Sequence, residues 1–165
     1  MKKIYLDTSA FFKIFVEEQA SETVERLIGL ARDKKISIVL SDWVINESLA
    51  FVDENLRKNR ISPTEAQCIL SELIDMIEGR IQYENFTVYP ITDKVVIGSR
   101  FVIQDYRIPA SDALHVFIAG AAECDCLVSA DGGLVTQLTT GSLKLIAFNV
   151  RVAKDVEKLF NFLVN

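Results

Sequence analysis

The chain has 165 residues, of which 50% are hydrophobic and 25% charged, and a formal net charge of −5. That length and balance suit one folded domain, 1–165, with a sizeable core, and exclude a disordered chain. The acidic balance argues against a protein that coats nucleic acid through a basic surface. It leaves room for an enzyme that meets a phosphate backbone through metal ions.

No apolar run is long enough to cross a membrane. The first strand begins at once, so no secretory leader is expected. The three cysteines, Cys68, Cys124 and Cys126, form neither a disulfide framework nor a zinc knuckle. They read as reduced thiols, which points to the cytoplasm.

In chain order, Ile4-Tyr5-Leu6 is a short apolar run that predicts a buried strand. Asp7 stands at its C-terminal end, before Thr8 and Ser9, which suit a helix start. A short helix is expected over Phe11–Val16 and a second over Ser21–Lys34, with Val24, Leu27, Ile28 and Ala31 at helical spacing. Ile36–Leu40 predicts the second strand, with Ser41 and Asp42 as its exit. The next helix carries Ile45, Leu49, Val52 and Leu56 on one face, and Glu47 interrupts it beside Trp43, Val44 and Phe51. Ser62-Pro63-Thr64-Glu65 is a capping box with proline at the first helical position. It opens a helix with Ile69, Leu73, Met76 and Ile77 in a stripe, which Gly79 should end. The two helices predict a hairpin over about 42–79, with Arg57, Lys58 and Arg60 at its connection.

Phe86–Tyr89 predicts a third strand, and Thr92 opens a helix reaching Val102. The helix begun by Pro109-Ala110-Ser111-Asp112 is apolar almost all round, as a helix buried on most sides would be. Cys126–Ser129 is the fourth predicted strand, ending near Asp131-Gly132-Gly133, and Leu143–Phe148 the fifth. A C-terminal amphipathic helix covers about 153–164. Strands alternating with helices predict an α/β fold with three layers, α/β/α, around a mainly parallel sheet of four to five strands.

Asp7 and Asp131 each follow a strand, where α/β sheets bind their ligands. Asp112 lies in the first turn of a buried helix, and Glu47 sits on a helix that otherwise faces a core. Taken singly, each acid suits an ordinary role as cap, turn former or solvated charge. Brought together they would repel one another unless cations neutralised them, and oxygen-rich sites select hard ions such as magnesium or manganese.

Asp7-Thr8-Ser9-Ala10, Asn46-Glu47, Ser111-Asp112-Ala113-Leu114 and Ser129-Ala130-Asp131 resemble, in order and spacing, the four acidic motifs of the PIN-domain nucleases. Among these the chain is most similar to VapC-like toxins of toxin–antitoxin pairs. The resemblance implies a PIN-like fold and a magnesium- or manganese-dependent ribonuclease with Asp7, Glu47, Asp112 and Asp131 around the metal. It also implies an RNA substrate, a small antitoxin partner and a homodimer. Thr8 and Ser9 would position water or phosphate, and Arg57, Lys58, Arg60, Arg100 and Arg107 are candidate contacts to the RNA backbone. His115, one turn after Asp112, reads as a packed, hydrogen-bonded residue. Gly133 stands where many relatives place a further acid, and the hairpin is long for a toxin of this kind.

Two other readings compete. A haloacid-dehalogenase-type phosphohydrolase also starts from a strand-end aspartate, but needs a second one where Ser9 stands. A catalytically weak PIN-like domain could instead serve binding or dimerisation.

Overall fold

The computed structural model describes residues 1–77, 85–140 and 145–164. The predicted helix stop at Gly79, the side chains of Met76 and Ile77, and Leu143 lie outside what is described.

Five parallel strands form one sheet in the order β3-β2-β1-β4-β5: β1 Lys2–Leu6, β2 Ile36–Ser41, β3 Phe86–Tyr89, β4 Cys126–Ser129 and β5 Ile146–Asn149. β1 is central, pairing Ile4 with Ile38 on one side and Leu6 with Val128 on the other. Ile4, Tyr5, Leu6, Ile38, Leu40 and Leu127 are fully buried, as parallel strands covered on both faces require. Each such aliphatic side chain contributes about 1.5–3 kcal/mol.

Helices flank this sheet: α1 Thr8–Phe11, α2 Ser21–Arg32, α3 Asp42–Arg57, α4 Pro63–Ile77, α5 Asp93–Tyr106, α6 Ala110–Ala121, α7 Gly132–Thr140 and α8 Ala153–Val164. From β1 the chain steps outward to β2 and β3, then returns across the sheet to β4 and steps the other way to β5. With right-handed crossovers, the two directions place their helices on opposite faces. The order therefore reverses between β1 and β4, which opens a crevice at their C-terminal ends.

Three expectations are revised. The predicted helix over Phe11–Val16 begins earlier, at Thr8, and tightens into a 3₁₀ turn over Phe12–Ile14. The Asp7 carboxylate starts it by accepting the Ala10 N–H, and the tighter turn buries both Phe12 and Lys13. α7 was not expected, because Gly132 and Gly133 read as a turn. Its burial of Leu134, Val135 and Leu138 against the sheet supplies what local propensity does not. The fifth strand ends at Asn149.

α3 and α4 pack against each other across a connection at 58–62. The capping box forms as predicted, with Ser62 N–H donating to Glu65 at 2.7 Å and Glu65 N–H to Ser62 Oγ at 3.2 Å. α5 lies along α6, and the two approach closely at Gly98. A Cβ there would stand 2.2 Å from the Phe117 ring. Gly98→Val is therefore expected to lower stability by about 1–3 kcal/mol through overpacking, with part recovered in the double variant Gly98→Val/Phe117→Leu. Thermal unfolding measures both, and a Gly98→Val protein that melts with the wild type would contradict this packing.

Candidate active site

Asp7 is the N-cap of α1 and is only 4% exposed. Its Oδ1 accepts the Ala10 N–H at 2.9 Å and the Ser9 hydroxyl at 2.9 Å. Its Oδ2 accepts the Ser129 hydroxyl at 2.6 Å. Ser129 in turn accepts the Asp131 N–H at 2.8 Å, and Ser9 accepts the Ala130 N–H at 2.8 Å. The ends of β1 and β4 are thus stitched together around one carboxylate. Burial pushes Asp7 above the ordinary aspartate range; the charge of His115 and the donors Ser129, Ala10 and Ser9 offset this only in part.

A second network fixes Glu47. Its Oε2 meets His115 Nε2 at 2.9 Å and also accepts the Thr8 hydroxyl. On its other side His115 Nδ1 meets the Tyr5 hydroxyl at 2.9 Å, and that hydroxyl meets Ser41 Oγ at 2.9 Å. Ser41 caps α3 by accepting the Val44 N–H. A carboxylate only accepts, so His115 Nε2–H donates to Glu47, and the chain of contacts continues from Nδ1 through the Tyr5 hydroxyl to Ser41 Oγ. Burial drives the Tyr5 phenol far above its ordinary range and keeps it a donor. For Glu47 burial acts upward, but the hydrogen bond and charge of His115, then Thr8 and Trp43, outweigh it and hold the carboxyl low. The Trp43 indole N–H is buried and makes no hydrogen bond of ordinary geometry.

Asp112, half-buried in the first turn of α6, is pushed up by burial first, eased by His115, then pushed up by the charges of Asp131, Asp7 and Glu47. The charges of the other three acids therefore all reach Asp112. Asp131 is exposed and caps α7, its Oδ1 accepting Gly133 N–H at 2.7 Å and Leu134 N–H at 3.3 Å. Gly133 has helical backbone, and a Cβ there would stand 3.1 Å from Asp131 Oδ1. Its lack of a side chain is thus a matter of crowding on Asp131.

Among the described residues no three acid, histidine or cysteine side chains yet close around one point as metal ligands. The donor chemistry nevertheless fits a hard cation. The site holds four carboxylates, one buried and under-compensated and another raised by burial and then by its three acidic neighbours, and each keeps lone pairs free beside its present hydrogen bonds.

The predicted basic contacts lie elsewhere. Arg57 pairs with Asp53 at 2.9 Å and Lys58 with Glu54, both on the exposed side of α3. Arg100 and Arg107 are exposed on and just after α5. Arg60 lines a cleft that reaches Ser9. None of the five is bonded to the four acids among the described residues. Tyr5, Ser129, Ser41 and the His115–Glu47 bond were not anticipated as parts of the site. The serine directly before Ala130-Asp131 was the one local signal.

Asp7→Asn should raise the melting temperature of the metal-free protein at neutral pH, because an acid raised in the fold costs stability once the unfolded chain can ionise. The gain should fade as pH falls toward the ordinary value of 3.8, where both states are protonated. An Asn variant less stable at every pH would contradict this. His115→Ala should lose about 1–3 kcal/mol in urea unfolding by leaving Tyr5 and Glu47 without their buried partner; an unchanged midpoint would show that the network contributes nothing.

The PIN domain family model matches residues 4–136. Among solved structures, the fold is similar to VapC20 of Mycobacterium tuberculosis, a sarcin-ricin loop cleaving toxin, at a TM-score of 0.58 and 14% identity over 81% of this chain and 93% of that one. FitAcB from Neisseria gonorrhoeae gives 0.64 and 16% over 89% and 97%. PAE2754 from Pyrobaculum aerophilum gives 0.61 and 17% over 99% and 90%. A search of curated proteins finds no significant match.

Proposed function

The chain belongs to the PIN domain family, and from that premise and its acidic crevice we propose that it is a metal-dependent endoribonuclease, the toxin of a toxin–antitoxin pair acting in the cytoplasm. The observation that carries this reading is that the charges of Asp7, Glu47 and Asp131 all reach Asp112 at the point where the strand order reverses. VapC20, a sarcin-ricin loop cleaving toxin, supports RNA as the substrate class.

Asp7, Asp112 and Asp131 would hold magnesium or manganese, with Glu47 as a further ligand or water-orienting base. The ion, when bound, would polarise the phosphodiester and supply a hydroxide-like nucleophile at neutral pH. Asp7 is anchored by Ser9, Ser129 and Ala10, so its position costs no reorganisation when substrate arrives. Glu47, kept ionised by His115 and Thr8 at its Oε2, would take the proton of an attacking water at Oε1. Thr8 and Ser9, whose hydroxyls donate to Glu47 and Asp7, would steady water or phosphate. Arg57, Lys58, Arg100 and Arg107 would serve the RNA backbone further out.

A homodimer is supported by Val96, Ile97 and Phe101 of α5, which are 42%, 52% and 64% exposed and leave an apolar face uncovered. A small antitoxin would block the crevice, with an arginine paired bidentately to its carboxylates.

With Gly133 the site offers four carboxylates rather than five, so calorimetry without RNA should show one magnesium site; two equally tight sites would require a further ligand. Cleavage of a panel of single-stranded and hairpin RNAs should depend on magnesium and vanish in excess EDTA. Asp112→Asn and Asp131→Asn should each lose more than the roughly 10–100-fold typical of an outer-shell partner. Full cleavage in chelator, or wild-type rates in either variant, would overturn the assignment.

A further inference from the structure

Two walls run side by side away from the acidic crevice. Thr8 bonds to Glu47; one turn further along each element, Phe12 stacks on Phe51 with ring centroids 5.5 Å apart and planes 28° from parallel. Beyond that pair the walls part into a cleft of about 470 Å³, lined by Ser9, Phe12, Phe51, Asn55, Arg60 and Arg151 among others. That volume is in the range of a small-molecule site. Phe12 is 5% exposed and backs the stack, whereas Phe51 is 38% exposed and offers its ring to the cleft.

The charges of this cleft are unevenly satisfied. Glu18 is bound to the buried Lys13 at 2.6 Å and lies 3.9 Å from Arg151, and Glu54 is held by Lys58. The Arg60 guanidinium, by contrast, has no hydrogen bond or ion pair among the described residues. Asn55 donates its amide to the Phe51 carbonyl at 2.8 Å, which leaves its side-chain oxygen free to accept. A neighbouring cleft shares Val16, Arg60 and Ile61 but is rimmed by Glu17, Glu65 and Glu72, which repel phosphate. A polyanion entering from Ser9 is therefore met favourably as far as Arg60 and no further.

We propose that this cleft is a nucleotide subsite for single-stranded RNA: Phe51 stacks the base next to the scissile phosphate, Asn55 accepts a hydrogen bond from its edge, and Arg60 binds the adjoining phosphate. The inference rests on the nuclease reading above and deepens it. Aromatic stacking of this kind tolerates any base and requires an unpaired strand, so duplex RNA should be a poor substrate. Phe51 and Arg60 act on binding, since neither touches the reacting atoms.

The test uses a labelled single-stranded oligoribonucleotide, its cleavage in magnesium and its anisotropy in chelator, with wild type, Phe51→Ala, Phe51→Trp, Phe51→Leu and Arg60→Ala. Phe51→Ala should weaken binding and raise KM by about tenfold to a hundredfold with kcat little changed. Phe51→Trp should bind as the wild type does, and Phe51→Leu, which keeps the apolar packing, should resemble Ala. An abasic sugar-phosphate oligomer should bind wild type and Phe51→Ala alike yet lose affinity in Arg60→Ala. If Phe51→Leu keeps wild-type affinity, or if Phe51→Ala leaves RNA binding untouched while abolishing binding of a purified protein partner, the subsite is refuted and the cleft is a packing or protein-docking surface. Wild-type binding that depends on Phe51 without any cleavage would support the subsite and refute the nuclease reading. Cleavage indifferent to Phe51 would do the reverse.

Discussion

The structure turns on a buried carboxylate that is not fully compensated. Asp7 sits at the end of the central strand, where the order of the sheet reverses, and accepts hydrogen bonds from Ala10, Ser9 and Ser129. Those bonds join the end of β1 to the end of β4 and start α1 at Thr8 rather than later. They do not cancel the desolvation of the charge. A fold that keeps such a group trades stability for a place where positive charge is welcome, and the remaining acids are arranged around that place.

Each of the other three acids is supported by a different device. Glu47 is reached by a relay from Ser41 through Tyr5 and His115, which couples the cap of α3 to the first strand and to α6. Asp131 is spent partly on the N-terminus of α7. Asp112 has no such fixture among the described residues and takes the repulsion of all three. In the proposed site, the hydrogen bonds that hold Asp7 and Glu47 would spare reorganisation when a substrate phosphate arrives.

Much of this was legible in the chain. Ile4–Leu6, Ile36–Leu40 and Cys126–Ser129 are continuous apolar runs because strands covered on both faces have no polar side to show. Asp7, Glu47, Asp112 and Asp131 could be singled out because each breaks a local pattern. The helix after Asp131 was not legible: Gly132-Gly133 is a turn signal, and only the burial of Leu134, Val135 and Leu138 makes it a helix. The His115–Glu47 bond joins residues 68 apart, and no periodicity records it. His115 was read as a packed, hydrogen-bonded residue, and it is one; which acid it holds could come only from the fold. The Phe12–Phe51 stack escaped for the same reason, since each ring taken alone reads as core.

The central claim is that the four acids form a cation site at the end of β1. Anomalous diffraction from crystals soaked in manganese tests it most directly. The expected result is a peak bound to Asp7 and at least one of Asp112 and Asp131, at about the 2.0–2.2 Å of hard-ion oxygen ligands. A manganese peak on other residues, or none at this crevice at millimolar metal, would contradict it.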